Sequence, residues 1–268
     1  MSAAPTVPPG RDRLWSRDFI LTSLTNLFLA MVFYLLVTAM ALYAVNRFQA
    51  SDVLSGLAVG AYVLGAVVSR LGFGQALDII GRRRLLVGAL IAFLVASTLY
   101  LLANTLWLLI AVRFVHGIAF GAASTVLATA VIGLIPRHRR SEGTGWFGTS
   151  TTAGSAFGPL LAFQLTDAFG FESLFLVCTA FSVLGLVAGL LVRLPEPDGA
   201  AAPASAAADA AGTVPARPDG GAEGQGRHFR LRGMVSAEAL PVSLIILLAG
   251  TAFSGVLAFI NGYAAQQD

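Results

Sequence analysis

Seven long apolar runs, separated by short turns rich in arginine, decide what this chain can fold into. They cover residues 17–45, 53–77, 85–103, 106–135, 143–167, 171–193 and 241–264. A bilayer core of about 30 Å is crossed by roughly 20 helical residues, each rising 1.5 Å, and every run is about that long or longer. Of the 268 residues, 56% are hydrophobic and 12% are charged, against about a quarter charged in soluble domains. A soluble core cannot hide that much apolar surface. The expected solvent is lipid and the expected fold is an all-α, multi-pass membrane protein. The breaks carry turn chemistry or charge: Asn46-Arg47, Asp78 to Arg84, Asn104, Pro136 to Glu142, and Gly170-Phe171-Glu172.

The first run follows Arg13 and Arg17, and Ala39-Met40-Ala41 resembles a signal-peptidase site. A signal sequence has an apolar region of about 7–15 residues. This run is far longer and six more follow it, so it reads as a span. All 17 basic residues are arginine, and the chain has no lysine. That bias suits a GC-rich bacterial genome. With the N-terminus in the cytoplasm, fourteen arginines fall on the inner side, Arg47 alone falls outside, and Arg70 and Arg113 lie within spans. The positive-inside rule therefore predicts a bacterial cytoplasmic (inner) membrane protein with a cytoplasmic N-terminus. Arginines at helix ends give no reason to expect nucleic acid as a partner. The single cysteine, Cys178, lies in an apolar run and is expected to be a buried, inert thiol.

The domain expectation has four parts. Residues 1–16 form a disordered cytoplasmic tail, and 17–193 form a six-helix transmembrane half. Residues 194–239, rich in Ala, Gly and Pro, form a disordered cytoplasmic linker. Residues 240–268 form the first helix of an incomplete second half. The linker ends in Arg227, Arg230 and Arg232, a patch suited to anionic headgroups. Ser23, Leu24, Leu27, Phe33, Tyr43 and Ala44 recur in the same spacing as Ser243, Leu244, Leu247, Phe253, Tyr263 and Ala264. The seventh run thus reads as a second copy of the first.

Three motifs stand out. The loop after the second run reads Gly74-Gln-Ala-Leu-Asp78-Ile-Ile-Gly81-Arg82-Arg83-Arg84. Gly74 permits close helix approach, Asp78 sits at a helix end, Gly81 allows a tight reversal, and the arginines hold the loop inside. The fourth run holds Arg113, His116, Gly117 and Gly121, with His116 and Gly117 on the face of Arg113. An arginine inside a span costs about 2.5–3.5 kcal/mol on insertion scales, which predicts a polar cavity beside it. The fifth run holds Gly145, Gly154, Gly158 and Pro159. Its small residues let backbones touch, and the proline removes a backbone donor.

Together these motifs resemble the major facilitator superfamily (MFS), with the fifth run similar to its drug and metabolite antiporters. The resemblance implies the amino-terminal half, plus the next helix, of a twelve-helix fold with a central cavity. The half is a six-helix bundle of two three-helix repeats. It implies alternating access driven by protons, with the lipid bilayer, a small-molecule substrate and a complementary C-terminal half as partners. By the same resemblance Gly74, Asp78, Gly81, Arg82 and Arg83 form a cytoplasmic gate whose partners lie in the other half. The chain departs from the family pattern at Ile79, where a basic residue is usual, at His116, where Gln is common, and at Ala162-Phe163, where a glycine pair is common.

No Asp or Glu lies mid-span in the first six runs. The proton-coupling candidates are His116, whose reference pKa of about 6.5 suits the task, and Arg113 as its modulator. Asn26, Phe33 and Tyr34 of the first run, Phe120 of the fourth and Phe157 of the fifth are expected to line the cavity with them. Aromatic walls with few polar groups fit a small amphipathic organic solute. Arg70 is expected to snorkel to the inner surface. No metal-ligand cluster, phosphate loop or nucleophile elbow is present in the sequence, so neither enzyme nor cofactor is expected. The alternatives are a half-transporter or fragment that needs a partner, and a seven-helix receptor, for which the gate motif has no use.

Overall fold

The computed structural model describes residues 13–194, with 73–80 as backbone alone, together with Leu244, Ile245 and Leu248. Contacts divide the chain into two units, Met1–Ala207 and Ala208–Asp268. The expected tail up to residue 12, nearly all of the linker and most of the seventh span lie outside the described residues; the three isolated positions are helical.

The first unit holds α1 (Arg17–Phe48), α2 (Asp52–Ile80), α3 (Arg82–Leu99), α4 (Leu106–Leu134) and α5 (Arg140–Leu191), with 3-10 turns at Tyr100–Leu102 and Arg137–Arg139. All five helices are long and apolar enough to cross a membrane. Local chemistry sets their ends. Ser16 accepts a hydrogen bond from the Phe19 amide at 3.2 Å, and Thr105 accepts one from the Leu108 amide at 3.3 Å. Each satisfies a donor that the first helical turn leaves open. Gln49 ends α1 in the left-handed region (φ 52°), where its amide reaches the Val45 carbonyl at 2.9 Å. Gly81 makes the reversal between α2 and α3 at φ 86° and ψ 141°, a conformation costly for any residue with a Cβ. At the start of α5, Arg139 donates to both carboxylate oxygens of Glu142, at 2.7 and 2.6 Å. The bonds from Arg139 hold the Glu142 carboxyl below its ordinary pKa.

The fifth and sixth spans expected from sequence are the two limbs of α5. They meet at Gly170, whose backbone is non-helical (φ 78°, ψ 176°). Ser173 Oγ donates to the Leu165 carbonyl at 3.2 Å. In an unbroken helix these residues would stand about 12 Å apart along the axis, so the chain turns back here. The two limbs also meet α1 at one level. A Cβ on Gly154 would touch Ala30, and one on Gly185 would touch Phe28, with Gly170 about midway between the two glycines. The first unit is therefore a six-helix bundle.

Two interfaces dominate, α1 with α5 and α2 with α4. Both are built on missing side chains. A Cβ on Gly154 would lie 2.7 Å from that of Ala30, and one on Gly158 would lie 2.6 Å from that of Tyr34. Between α2 and α4 the contact is backbone on backbone. A Cβ on Gly117 would overlap the Tyr62 carbonyl, one on Gly65 would overlap that of Phe114, and one on Gly121 would stand 2.7 Å from that of Ala66. In lipid, where apolar surfaces gain little by meeting each other, such close approach is the main source of helix association. The core between the helices contains Leu35, Leu36, Met40, Leu86, Phe93, Leu127 and Phe175, all buried. Val53, Leu64, Val67, Leu71, Leu160 and Leu176 are exposed on the outside, as a lipid-facing belt requires. Gly117→Ala is expected to cost about 1–3 kcal/mol, because a backbone carbonyl cannot move aside as a side chain can. Reversible unfolding in lipid discs measures it, with Gly88→Ala, whose Cβ would meet nothing, as the control for the helix-propensity gain of about 0.5–1 kcal/mol that both changes share.

Candidate functional site

A cavity of about 240 Å³ opens between α1, α2, α4 and α5. Asn26, Phe33 and Tyr34 line it from α1; Tyr62, Ala66 and Arg70 from α2; Phe120 from α4; and Thr151 from α5. Tyr62, Ala66 and Arg70 are spaced by four residues, so one face of α2 forms a wall. The rings interlock: Phe33 stacks on Phe120 with centroids 5.4 Å apart and planes 13° apart, and Phe33 meets Tyr34 edge-on at 4.9 Å. Asn26 Nδ2 donates to Ser150 Oγ at 2.7 Å and to Thr151 Oγ1 at 3.0 Å, which ties α1 to α5 at the cavity edge.

Four of the aromatic and polar residues expected on the wall are there: Asn26, Phe33, Tyr34 and Phe120. Phe157 is not; it stands 63% exposed on α5. Arg113 and His116 are not on the wall either. Both are wholly buried. Tyr62 stands between them and the cavity, its ring 5.4 Å from Phe33 and from Phe120, 5.2 Å from His116, and 5.0 Å below the Arg113 guanidinium. Arg70 lines the cavity, where sequence placed it at the inner surface. The physical reason is the helix phase. Face-sharing along α4 is legible in sequence, but which neighbour that face meets depends on how α4 rolls against α2.

Behind Tyr62 lies a hydrogen-bonded chain through three helices. Tyr100 Oη meets His116 Nδ1 at 2.9 Å, and His116 Nε2 meets Ser97 Oγ at 3.3 Å. Ser97 Oγ meets Ser182 Oγ at 2.8 Å, and Ser182 Oγ reaches the Cys178 carbonyl at 2.8 Å. The donors run consistently when Tyr100 donates to Nδ1 and Nε2–H donates to Ser97, whose own proton goes to Ser182 or to the Phe93 carbonyl at 3.0 Å, while Ser182 donates to the Cys178 carbonyl. In this direction His116 is the neutral Nε2–H tautomer. Arg113 Nε donates to the Ala58 carbonyl at 3.0 Å, while both terminal guanidinium nitrogens and Tyr62 Oη are buried without a partner. Cys178 is buried. Sequence reading passed over Tyr62, Ser97, Tyr100 and Ser182. The available signal was polar groups inside apolar spans, which pair with one another where no water can.

The gate motif divides. Gly74 and Asp78 lie in the last turns of α2, where only backbone is described. Gly81 is the reversal, and Arg82 opens α3. Arg83 reaches across the same bundle and donates to the Val192 carbonyl at 2.8 Å and the Leu190 carbonyl at 3.3 Å. It thus caps the carbonyl end of α5, where a cation is favoured. Asp18 accepts from the Arg193 amide at 3.0 Å. The starts of α1 and α3 together pin the end of α5. In the fifth-run motif, Gly154 and Gly158 face α1, whereas a Cβ on Gly145 would meet nothing. Pro159 lies inside α5. Ala162, four residues beyond Gly158, is buried, and Phe163 is exposed.

A bundle of apolar helices, each long enough to cross a bilayer, around an aromatic cavity defines a polytopic helical membrane protein. The chain belongs to the Major Facilitator Superfamily, whose defining pattern matches residues 22–268. It is 34% identical over 138 residues to an uncharacterised MFS-type transporter of Mycobacterium tuberculosis, covering 51% of this chain and 24% of that one. It is 30% identical over 125 residues to Multidrug resistance protein 3 of Bacillus subtilis, covering 47% and 24%. To the inner membrane transport protein YajR of Escherichia coli it is 28% identical over 153 residues, covering 57% and 33%. The matched stretch thus spans about a quarter to a third of these relatives. The fold is that of the human organic anion transporter MFSD10, with a TM-score of 0.55 and 21% identity over 71% of this chain and 49% of that one.

Proposed function

We propose that this chain forms the amino-terminal bundle of a proton-coupled secondary transporter that exports a small amphipathic organic solute by alternating access. The observation that carries the reading is the aromatic cavity between α1, α2, α4 and α5, lined by Phe33, Tyr34, Tyr62 and Phe120 with few polar groups. Such a wall suits a largely apolar ligand. The name of one relative, Multidrug resistance protein 3, is in keeping with efflux. In this reading the membrane is the bacterial inner membrane, with the N-terminus of α1 in the cytoplasm. A second six-helix bundle, on the same polypeptide or on a partner, closes the cavity. The domain boundaries follow: 1–16 as tail, 17–193 as bundle, 194–239 as linker, and 240–268 as the start of the second bundle.

His116 and Arg113 carry the proton coupling in this reading. Tyr62 walls them from the cavity, so coupling requires Tyr62 to move when solute binds. Asp78 and Arg82 belong to the cytoplasmic gate, with its partners in the second bundle, while Arg83 holds the end of α5. The test is a flux assay in vesicles with an imposed pH gradient, both bundles being present. Solute accumulation against its gradient is expected in the native protein, with a loss of at least about tenfold in Asp78→Asn. Full transport by Asp78→Asn removes the gate assignment, and flux indifferent to the pH gradient removes proton coupling.

A further inference from the structure

We infer that the cavity is built for an organic anion, with its charged group on Arg70 and its apolar body against Phe33, Tyr62 and Phe120. The inference rests on the reading of this cavity as the solute site, and it adds the charge class. Among the described residues, Arg70 is the one charged residue on the wall. It is exposed along α2 rather than packed into the bundle. The one ion pair among the described residues is Arg139 with Glu142, so no described carboxylate neutralises Arg70. A second positive charge stands close behind, since the Arg113 guanidinium lies 5.0 Å from the centre of the Tyr62 ring that faces the cavity. Two guanidinium groups, with no carboxylate on the wall among the described residues, make the cavity potential positive, and its apolar, low-dielectric surroundings screen that potential little.

The layout also sets the shape of the occupant. Arg70 stands eight residues beyond Tyr62 on the same face of α2, about 12 Å along the helix. The aromatic end and the cationic end are therefore separate, and a solute spanning both has an apolar body with an anionic group at one end. The guanidinium fork matches carboxylate, sulfonate or phosphate oxygens. A lipophilic cation meets repulsion in the same place. The shared chemistry of anionic group plus apolar body belongs to a soluble acid and to an acidic lipid alike.

The test uses the whole chain in phosphatidylcholine discs and three matched probes: 2-naphthoate, 2-naphthamide and 2-naphthylmethylammonium. Binding is read by isothermal titration against empty discs. The expected order is anion, neutral, cation, with the anion roughly tenfold tighter than the amide, as one charge-assisted hydrogen bond gives. Arg70→Gln is expected to erase the advantage of the anion, and Arg70→Lys to restore most of it, which separates charge from misfolding. Adding phosphatidylglycerol to the discs distinguishes the sources. Unchanged naphthoate affinity supports a soluble acid at this site, and competition that depends on Arg70 supports an acidic lipid headgroup there. If the amide or the ammonium binds as tightly as naphthoate, or Arg70→Gln keeps the preference, the anion assignment falls while the cavity reading stands. If no probe binds above the empty-disc level, both fall together.

Discussion

His116→Ala is expected to cost the bundle about 3–5 kcal/mol of unfolding free energy. Two effects contribute, and their sizes differ. Removing a fully buried ring leaves a cavity among Phe93, Tyr62 and Tyr100, whose rings lie 4.2, 5.2 and 5.5 Å from the imidazole centre. Large-to-small changes of this kind cost about 2–5 kcal/mol. The lost bonds to Tyr100 and Ser97 add less, because interhelical hydrogen bonds in membranes average about 0.6 kcal/mol. Packing therefore dominates. His116→Gln is expected to stay within about 1.5 kcal/mol of the native protein, since an amide fills much of the space and both donates and accepts. Unfolding in lipid discs gives the numbers. A loss below about 1 kcal/mol for the alanine variant would mean that the imidazole is not a packing centre for Phe93, Tyr62 and Tyr100.

Arg113→Met is expected to separate stability from transport. The native residue is buried with one bond to Ala58 and a face-on contact with Tyr62, and two of its nitrogens have no partner. The bond contributes about 1 kcal/mol and the cation–π contact up to about 2. Against that stands a burial cost of about 2.5–3.5 kcal/mol for arginine within a span. Methionine keeps the unbranched apolar stem, fills part of the space and removes the charge. The bundle is expected to be no less stable, within about 1 kcal/mol. Flux through the complete transporter is expected to fall about a hundredfold, if the arginine modulates the proton site. A variant that unfolds readily would make Arg113 a structural anchor, and one that transports normally would remove it from the coupling machinery.

Much of the fold was legible because lipid imposes a simple rule. A helix must span about 30 Å, and backbone groups must pair within it. Apolar run length therefore located the helices of the first unit to within about four residues, and the break at Gly170 could be read from a glycine followed by an acid. Gly81 was equally legible, since a left-handed reversal favours glycine. Arg83 was not. Its sequence position shows only that it lies in a basic turn, and nothing local reveals that its guanidinium meets the carbonyls of Leu190 and Val192 on the far limb of α5.

By itself the sequence determined that this chain forms a helical bundle in a membrane and which residues turn the chain. These are properties of runs and single positions. Only the tertiary structure decided that Tyr62 separates Arg113 and His116 from the cavity, that Arg70 stands inside it, and that Phe157 does not. Those facts depend on how each helix is rotated about its axis. In a helix apolar nearly all round, rotation is set by glycine contacts and polar pairing with neighbours distant in sequence, such as Gly117 on Tyr62 and His116 on Ser97.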